Sequence, residues 1–152
     1  MKLQIGNLWD AKADVYLATT NAVLNNREEL VMGAGSALEM KQRYPDAPQL
    51  FGQVIRGLKV PYGVIILEQL GIGAFQTKDH YKHGSDLTII ERSTEYLANW
   101  CVVNPNKFVA LPAPGIGYGG LTYKQIRPII KYLPDTVTVF VFSNSQLEEN
   151  VA

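Results

Sequence analysis

At 152 residues the chain has the length of one domain with room for a sizeable core, and residues 1–152 are read as a single unit. Hydrophobic residues make up 47% and charged residues 18%, the balance of an ordinary globular protein rather than a disordered or fibrous one. Lys plus Arg is 14 and Asp plus Glu is 14, which excludes tight non-specific duplex binding but leaves room for a nucleic-acid substrate held in a pocket.

Met1 to Gln4 opens a strand-like segment, Lys2 to Leu8, rather than a signal peptide. Asp14 to Thr20 is a β-branched and aromatic run ending at Asn21, which predicts a buried strand. Asn25 to Glu29 reads as a polar loop. A helix is predicted over Ser36 to Tyr44, with Ala37, Met40 and Tyr44 on one face and Pro45 as its stop. A second helix is predicted from Ala47 to Gly57, with Leu50, Val54 and Leu58 at helical spacing. Tyr62 to Leu67 predicts a strand and Ile72 to Gln76 its hairpin partner. Ser85 is placed as the N-cap of a long helix whose apolar face is Leu87, Ile90, Leu97 and Cys101. Cys101 is the one cysteine, so no intramolecular disulfide forms; it fits a reducing compartment and reads as a buried, inert thiol. Phe108 to Leu111 is a short core strand ending at Pro112. Thr122 and Gln125 have capping-box spacing for a helix carrying Ile126, Ile129, Ile130 and Leu133, which Pro128 bends without abolishing. Thr136 to Phe142 is the last strand. No apolar run is long enough to span a bilayer, and a cytoplasmic location is expected.

Strands alternate with helices, so the predicted class is α/β with helices on both faces of the sheet. Ligands of such sheets bind at the carboxyl ends of the strands. Asn21, Lys78, the loop from Pro112 to Gly120 and the segment after Phe142 all follow predicted strands and so can converge on one edge. Two glycine-rich turns run directly into helix starts: Met32-Gly33-Ala34-Gly35-Ser36, and Pro114-Gly115-Ile116-Gly117-Tyr118-Gly119-Gly120. Glycine lets a ligand approach the backbone closely, and a helix N-terminus offers unpaired N–H groups at the positive end of its dipole. Either turn alone is a common packing device. Two together point to an anionic ligand, above all a pair of phosphates.

The segment Val31 to Pro45, the block Phe75-Gln76-Thr77-Lys78-Asp79-His80-Tyr81 and the stretch Ala110 to Leu121 resemble, in order, the first ligand loop, the Thr-Lys segment and the second ligand loop of macrodomains. The resemblance is to the branch of DarG antitoxins and terminal ADP-ribose protein glycohydrolase, and it covers nearly the whole chain. It implies a three-layer α/β/α fold around a mixed, mainly parallel sheet, acting as a monomer on ADP-ribose or an ADP-ribosylated macromolecule such as modified DNA. No cofactor and no metal are expected. By the same resemblance Gly33, Ala34, Gly35 and Ser36 wrap the diphosphate and distal ribose. Pro114, Gly115, Ile116, Gly117, Tyr118 and Gly119 close over them, Asn21 reaches the distal ribose, and Thr77 precedes the catalytic Lys78. Asn7 and Leu8 lie at the adenine, and Phe142 and Asn144 at the adenosine end. A lysine amine can act as nucleophile or base when its surroundings lower its pKa.

Two departures stand out. Gly6-Asn7-Leu8 carries Asn where macrodomains commonly carry Asp, which removes a charge and adds an amide donor. Tyr118-Gly119-Gly120 lacks the acidic residue of the protein glycohydrolase and has the glycine pair of the antitoxins. The stretch between Asn21 and Gly33 is also longer than in the antitoxin pattern. Some residues carry two readings: Phe142 is core or a stacking partner, Asn21 a turn residue or a ligand contact, Asp79 a surface charge or a general acid. His80 and His83 are suggestively spaced, but no Cys or carboxylate cluster completes a metal site. Three functions follow from the resemblance: an ADP-ribosyl hydrolase, a non-catalytic ADP-ribose reader, and an ADP-ribose 1″-phosphate phosphatase.

Overall fold

The computed structural model describes residues 1–58 and 61–148. Six strands, β1 (Lys2–Ile5), β2 (Val15–Thr20), β3 (Val64–Leu67), β4 (Ile72–Gln76), β5 (Val109–Pro112) and β6 (Val137–Val141), form one sheet in the order β1-β6-β5-β2-β4-β3. Every neighbouring pair is parallel except the β3–β4 hairpin. Parallel strands need crossovers, and the helices that supply them cover both faces. On one face α1 (Gly35–Arg43) and α2 (Ala47–Arg56) enclose Met40, Phe51 and Ile72; on the other α3 (Leu87–Val103) and α4 (Tyr123–Ile130) enclose Leu17, Phe75, Leu97 and Ile126. Each fully buried side chain of this size contributes about 1.5–3 kcal/mol. A short helix, α5 (Asn144–Glu148), follows β6. No helix among the described residues is long and apolar enough to cross a membrane.

Several local expectations are corrected. The first strand stops at Ile5, because Gly6 turns the chain at φ 145° and Asn7 caps a 3-10 turn over Leu8–Asp10. The apolar face of α2 is Ala47, Phe51 and Ile55 rather than Leu50, Val54 and Leu58; the latter two are exposed. Asp86, not Ser85, caps α3, its carboxylate accepting from the N–H groups of Thr88 and Ile89. Leu87 is exposed, and Ser93 and Thr94 complete the buried face instead. The capping box of Thr122 and Gln125 forms as read, and Pro128 lies within α4. Phe142 falls just beyond β6 and is 65% exposed, which removes its reading as core.

Candidate functional site

The carboxyl ends of β2, β4 and β5 lie together, and a cleft of about 520 Å³ opens there. Thr20 is in register with Gln76, and the Thr77 N–H donates to the Thr20 carbonyl at 2.9 Å, so Asn21 and Thr77 leave the sheet side by side. The first glycine turn forms one lip. Gly33, Ala34 and Gly35 line the cleft, and α1 starts from Ala34, which has no side-chain oxygen to cap it. Its first N–H groups therefore face the cleft without a cap, an anion-binding arrangement. Gly35 holds φ 57°, a left-handed conformation that favours glycine. Ser36 does not line the cleft. Its hydroxyl ties α1 to β2 through the Thr19 N–H at 3.0 Å.

The second turn forms the other lip, with Gly115, Ile116, Tyr118 and Gly119 in the wall and Pro114 and Gly117 outside it. A Cβ placed on Gly35 would lie 3.8 Å from the Tyr118 ring, so the two glycine turns face each other. Gly115 holds φ 83°, a left-handed conformation that favours glycine, and a Cβ there would press on the side-chain ends of Ile90 at 2.9 Å and Leu121 at 2.8 Å. Ser85 anchors it from beneath, its N–H donating to the Gly119 carbonyl at 2.9 Å.

A buried polar network supports the floor. The Tyr62 hydroxyl donates to the Asn21 carbonyl at 2.6 Å and meets the Thr20 hydroxyl. Burial pushes that phenol well above its ordinary pKa, so it stays protonated. Gln76 accepts from the N–H groups of Tyr62 and Gly63, and the Ser93 hydroxyl donates to the Gln76 carbonyl at 2.6 Å. Asn21 makes the turn contacts of one reading and leaves the other, a ligand contact, as an expectation. It lines the cleft, yet its side chain donates to the Val31 carbonyl and accepts from the Val23 N–H, a turn-forming role.

Lys78 is the one charged side chain in the cleft wall among the described residues, and no ion pair or hydrogen bond holds its ammonium there. Asp79 points elsewhere and accepts from His83 at 2.9 Å. That bond, with the charge of His83, holds the exposed Asp79 carboxyl below its ordinary range, so it is ionised at neutral pH, and it does not line the cleft. His80 contributes no side chain to the wall either; its Nδ1 accepts from the Lys82 N–H. Tyr81, which sequence reasoning did not single out, does line the cleft, three residues beyond Lys78.

A second, shallower groove continues along the same edge to the ends of β1 and β6. Asn7, Leu8, Ser36, Glu39, Pro112 and Phe142 are among its walls, so Ser36 and Gly35 link it to the cleft. Asn7 Oδ1 accepts from the Trp9 N–H at 3.0 Å, which leaves its amide NH₂ as the outward arm. Asn144 lines neither space. It begins α5, and the side chain of that helix that turns back is Gln146, onto the Phe142 N–H. Among the described residues no group of three or more His, Cys, Asp or Glu could hold a metal ion.

No family model matches the chain. A DNA ADP-ribosyl glycohydrolase of Thermus aquaticus is 29% identical to it over 133 residues, 83% of this chain and 35% of that protein. The chain thus spans little more than a third of that relative's length. The macrodomain of Mycobacterium tuberculosis DarG superposes with a TM-score of 0.75 at 27% identity, over 93% of this chain and 97% of that one. The macrodomain of Thermus aquaticus DarG does so with a TM-score of 0.72 at 28% identity, again over 93% and 97%. The sheet order, the two facing glycine turns and the lysine in the same cleft wall sit on a backbone that superposes on these domains over 93% of the chain. The chain has the macrodomain fold and is similar to the macrodomains of DarG.

Proposed function

We propose that this macrodomain binds ADP-ribose across the cleft and groove and is an ADP-ribosyl glycohydrolase that releases it from a DNA base, with Lys78 acting at the anomeric carbon. The observation that carries the reading is the placement of Lys78. One lysine, with no partner for its ammonium, stands in a wall otherwise made of neutral side chains and glycine backbone, opposite an uncapped helix N-terminus. The diphosphate lies against the N–H groups of Gly33 to Ser36, and the second glycine turn covers it. Asn21 and Thr77 flank the distal ribose. Phe142 and Asn7 border the adenosine end, with Asn144 outside the contacts. The name of the Thermus aquaticus relative supports DNA as the substrate class. A monomer suffices for this site, since both lips of the cleft come from one chain, and the free Cys101 thiol supports a reducing, cytoplasmic location.

In hydrolysis the bond between the anomeric carbon and the base breaks, the base leaves with a proton, and water supplies the new oxygen. Holding the diphosphate at one end and the ribose at the other presents that carbon to the lysine, and positioning of this kind supplies much of a barrier reduction. The amine acts either as a nucleophile, forming a lysine-linked ribose that water then resolves, or as the base that activates water. The test is Lys78→Ala. Activity on an ADP-ribosylated oligonucleotide is expected to fall by orders of magnitude while ADP-ribose affinity, measured by calorimetry, stays within a few fold. Full activity in Lys78→Ala removes the mechanism. A wild-type protein that binds ADP-ribose tightly but leaves every conjugate intact is the reader, and release of phosphate from ADP-ribose 1″-phosphate alone makes it the phosphatase.

A further inference from the structure

The turn that carries Lys78 is more elaborate than the placing of one amine requires. Between Lys78 and Ser85 it bears three rings, His80, Tyr81 and His83, with His80 packed on Tyr81 at 4.2 Å between centroids and on His83 at 5.4 Å. It is exposed, yet braced from within: His83 bonds Asp79 at 2.9 Å, the Lys82 N–H donates to His80 Nδ1 at 3.0 Å, and the His83 N–H donates to the His80 carbonyl at 3.0 Å. Its far end is tied to its near end by the Asp86 N–H on the Thr77 carbonyl at 2.9 Å. All of this bracing supports one ring that lines the cleft, Tyr81, which is 47% exposed. An exposed tyrosine backed by a second ring and held by a rigid turn is a stacking platform; its flat face is kept ready at no further cost in side-chain ordering.

The geometry points to Tyr81, backed by His80, as the platform on which the acceptor nucleobase stacks while ADP-ribose is cut from it at Lys78. This inference rests on the proposed glycohydrolase reading and goes beyond it by assigning where the leaving base lies. Tyr81 shares the cleft wall with Lys78, so a base on its face is beside the amine, and the diphosphate grip on the opposite lip is untouched. Stacking also suits a chain without net charge, since base–aromatic contact supplies affinity for single strands that a basic surface would otherwise supply. Platform and base are both neutral and flat, which favours a nucleobase over a carboxylate acceptor.

The experiment compares wild type, Tyr81→Ala and Tyr81→Phe on a single-stranded oligonucleotide carrying one ADP-ribosylated base, and on free ADP-ribose. Tyr81→Ala is expected to raise KM for the oligonucleotide by about five- to a hundredfold, the span seen when one base–aromatic stack is lost. Tyr81→Phe keeps the ring and stays near wild type, and ADP-ribose affinity and the melting temperature are unchanged in both. The same variants in a Lys78→Ala background report on binding alone: the affinity gained by the conjugate over free ADP-ribose disappears with Tyr81→Ala. An oligonucleotide KM or affinity within twofold of wild type in Tyr81→Ala overturns the platform. So does an equal loss for free ADP-ribose, which would make Tyr81 a ligand-loop residue. Equal sensitivity on an ADP-ribosylated protein overturns the nucleobase assignment. Failure of the underlying reading looks different, since Lys78→Ala would then keep its activity or wild type would leave the oligonucleotide uncut and bound no better than free ADP-ribose.

Discussion

Tyr62→Phe removes one oxygen from the floor of the cleft and little else. The hydroxyl donates its only proton to the Asn21 carbonyl at 2.6 Å, so the Thr20 hydroxyl must be the donor in the second bond. Tyr62 is 5% and Thr20 2% exposed, which leaves water little access to replace either contact. Two buried hydrogen bonds at about 0.5–1.5 kcal/mol each put the loss near 2 kcal/mol, with about 3 reached if both old partners stay unsatisfied. For a domain of this length that corresponds to roughly 4–8 °C in Tm. Urea titration of wild type, Tyr62→Phe, Thr20→Val and the double variant measures it. The double variant should lose less than the sum of the singles, because Thr20→Val removes the donor that Tyr62→Phe orphans. A Tyr62→Phe loss below about 0.5 kcal/mol at unchanged m value refutes the claim that this network holds the floor.

Three further outcomes are expected. Gly35→Glu should abolish ADP-ribose binding in a folded protein, because a carboxylate enters where the uncapped N–H groups receive the diphosphate; unchanged affinity by calorimetry counts against that placement. Asp86→Ala should cost about 1 kcal/mol in urea unfolding by uncapping α3, whereas Ser85→Ala, which keeps the Ser85 N–H on Gly119, should cost little. Burial raises the Cys101 thiol above its ordinary pKa, so it should resist a thiol reagent at pH 8 until the chain unfolds; prompt labelling of native protein would show a dynamic or exposed α3.

The order of elements was legible in the sequence because β-branched runs and helical spacing alternate cleanly from Val15 to Val141. The two glycine turns were legible because their conformations demand glycine: Gly35, Gly115 and Gly117 all hold positive φ. Errors came where local signals compete. In α2 a one-residue shift of the apolar pattern exchanges Leu50 and Val54 for Phe51 and Ile55, and only the packing of Phe51 against the sheet decides between them. Ser85 and Asp86 are adjacent and both cap well, so the choice depends on which residue the second glycine turn claims; Gly119 takes the backbone of Ser85. Tyr81 gave no periodic or motif signal of its own. Gln76, Tyr62 and Ser93 stayed hidden for a different reason: a buried polar network joins residues distant in sequence, and each member alone resembles an ordinary strand, loop or helix residue.

The proposed seating of a diphosphate in the cleft of a protein with no net charge requires an account of where the attraction comes from. The wall supplies one lysine, and the rest is backbone: the uncapped start of α1 and the glycine turn after β5. Partial charges on N–H groups act over about one helical turn and need a concave surface to converge. Such a grip is strong for a phosphate pair seated in the cleft and nearly absent for phosphates along an outer surface. It therefore selects one anionic ligand without drawing the protein to nucleic acid in general. On the proposed reading Lys78 is then free of the task of binding, and Lys78→Ala should leave most of the backbone grip in place. The same reading predicts that altering the turn from Lys78 to His83 changes what is cut, while altering Gly33 to Ser36 changes what is held.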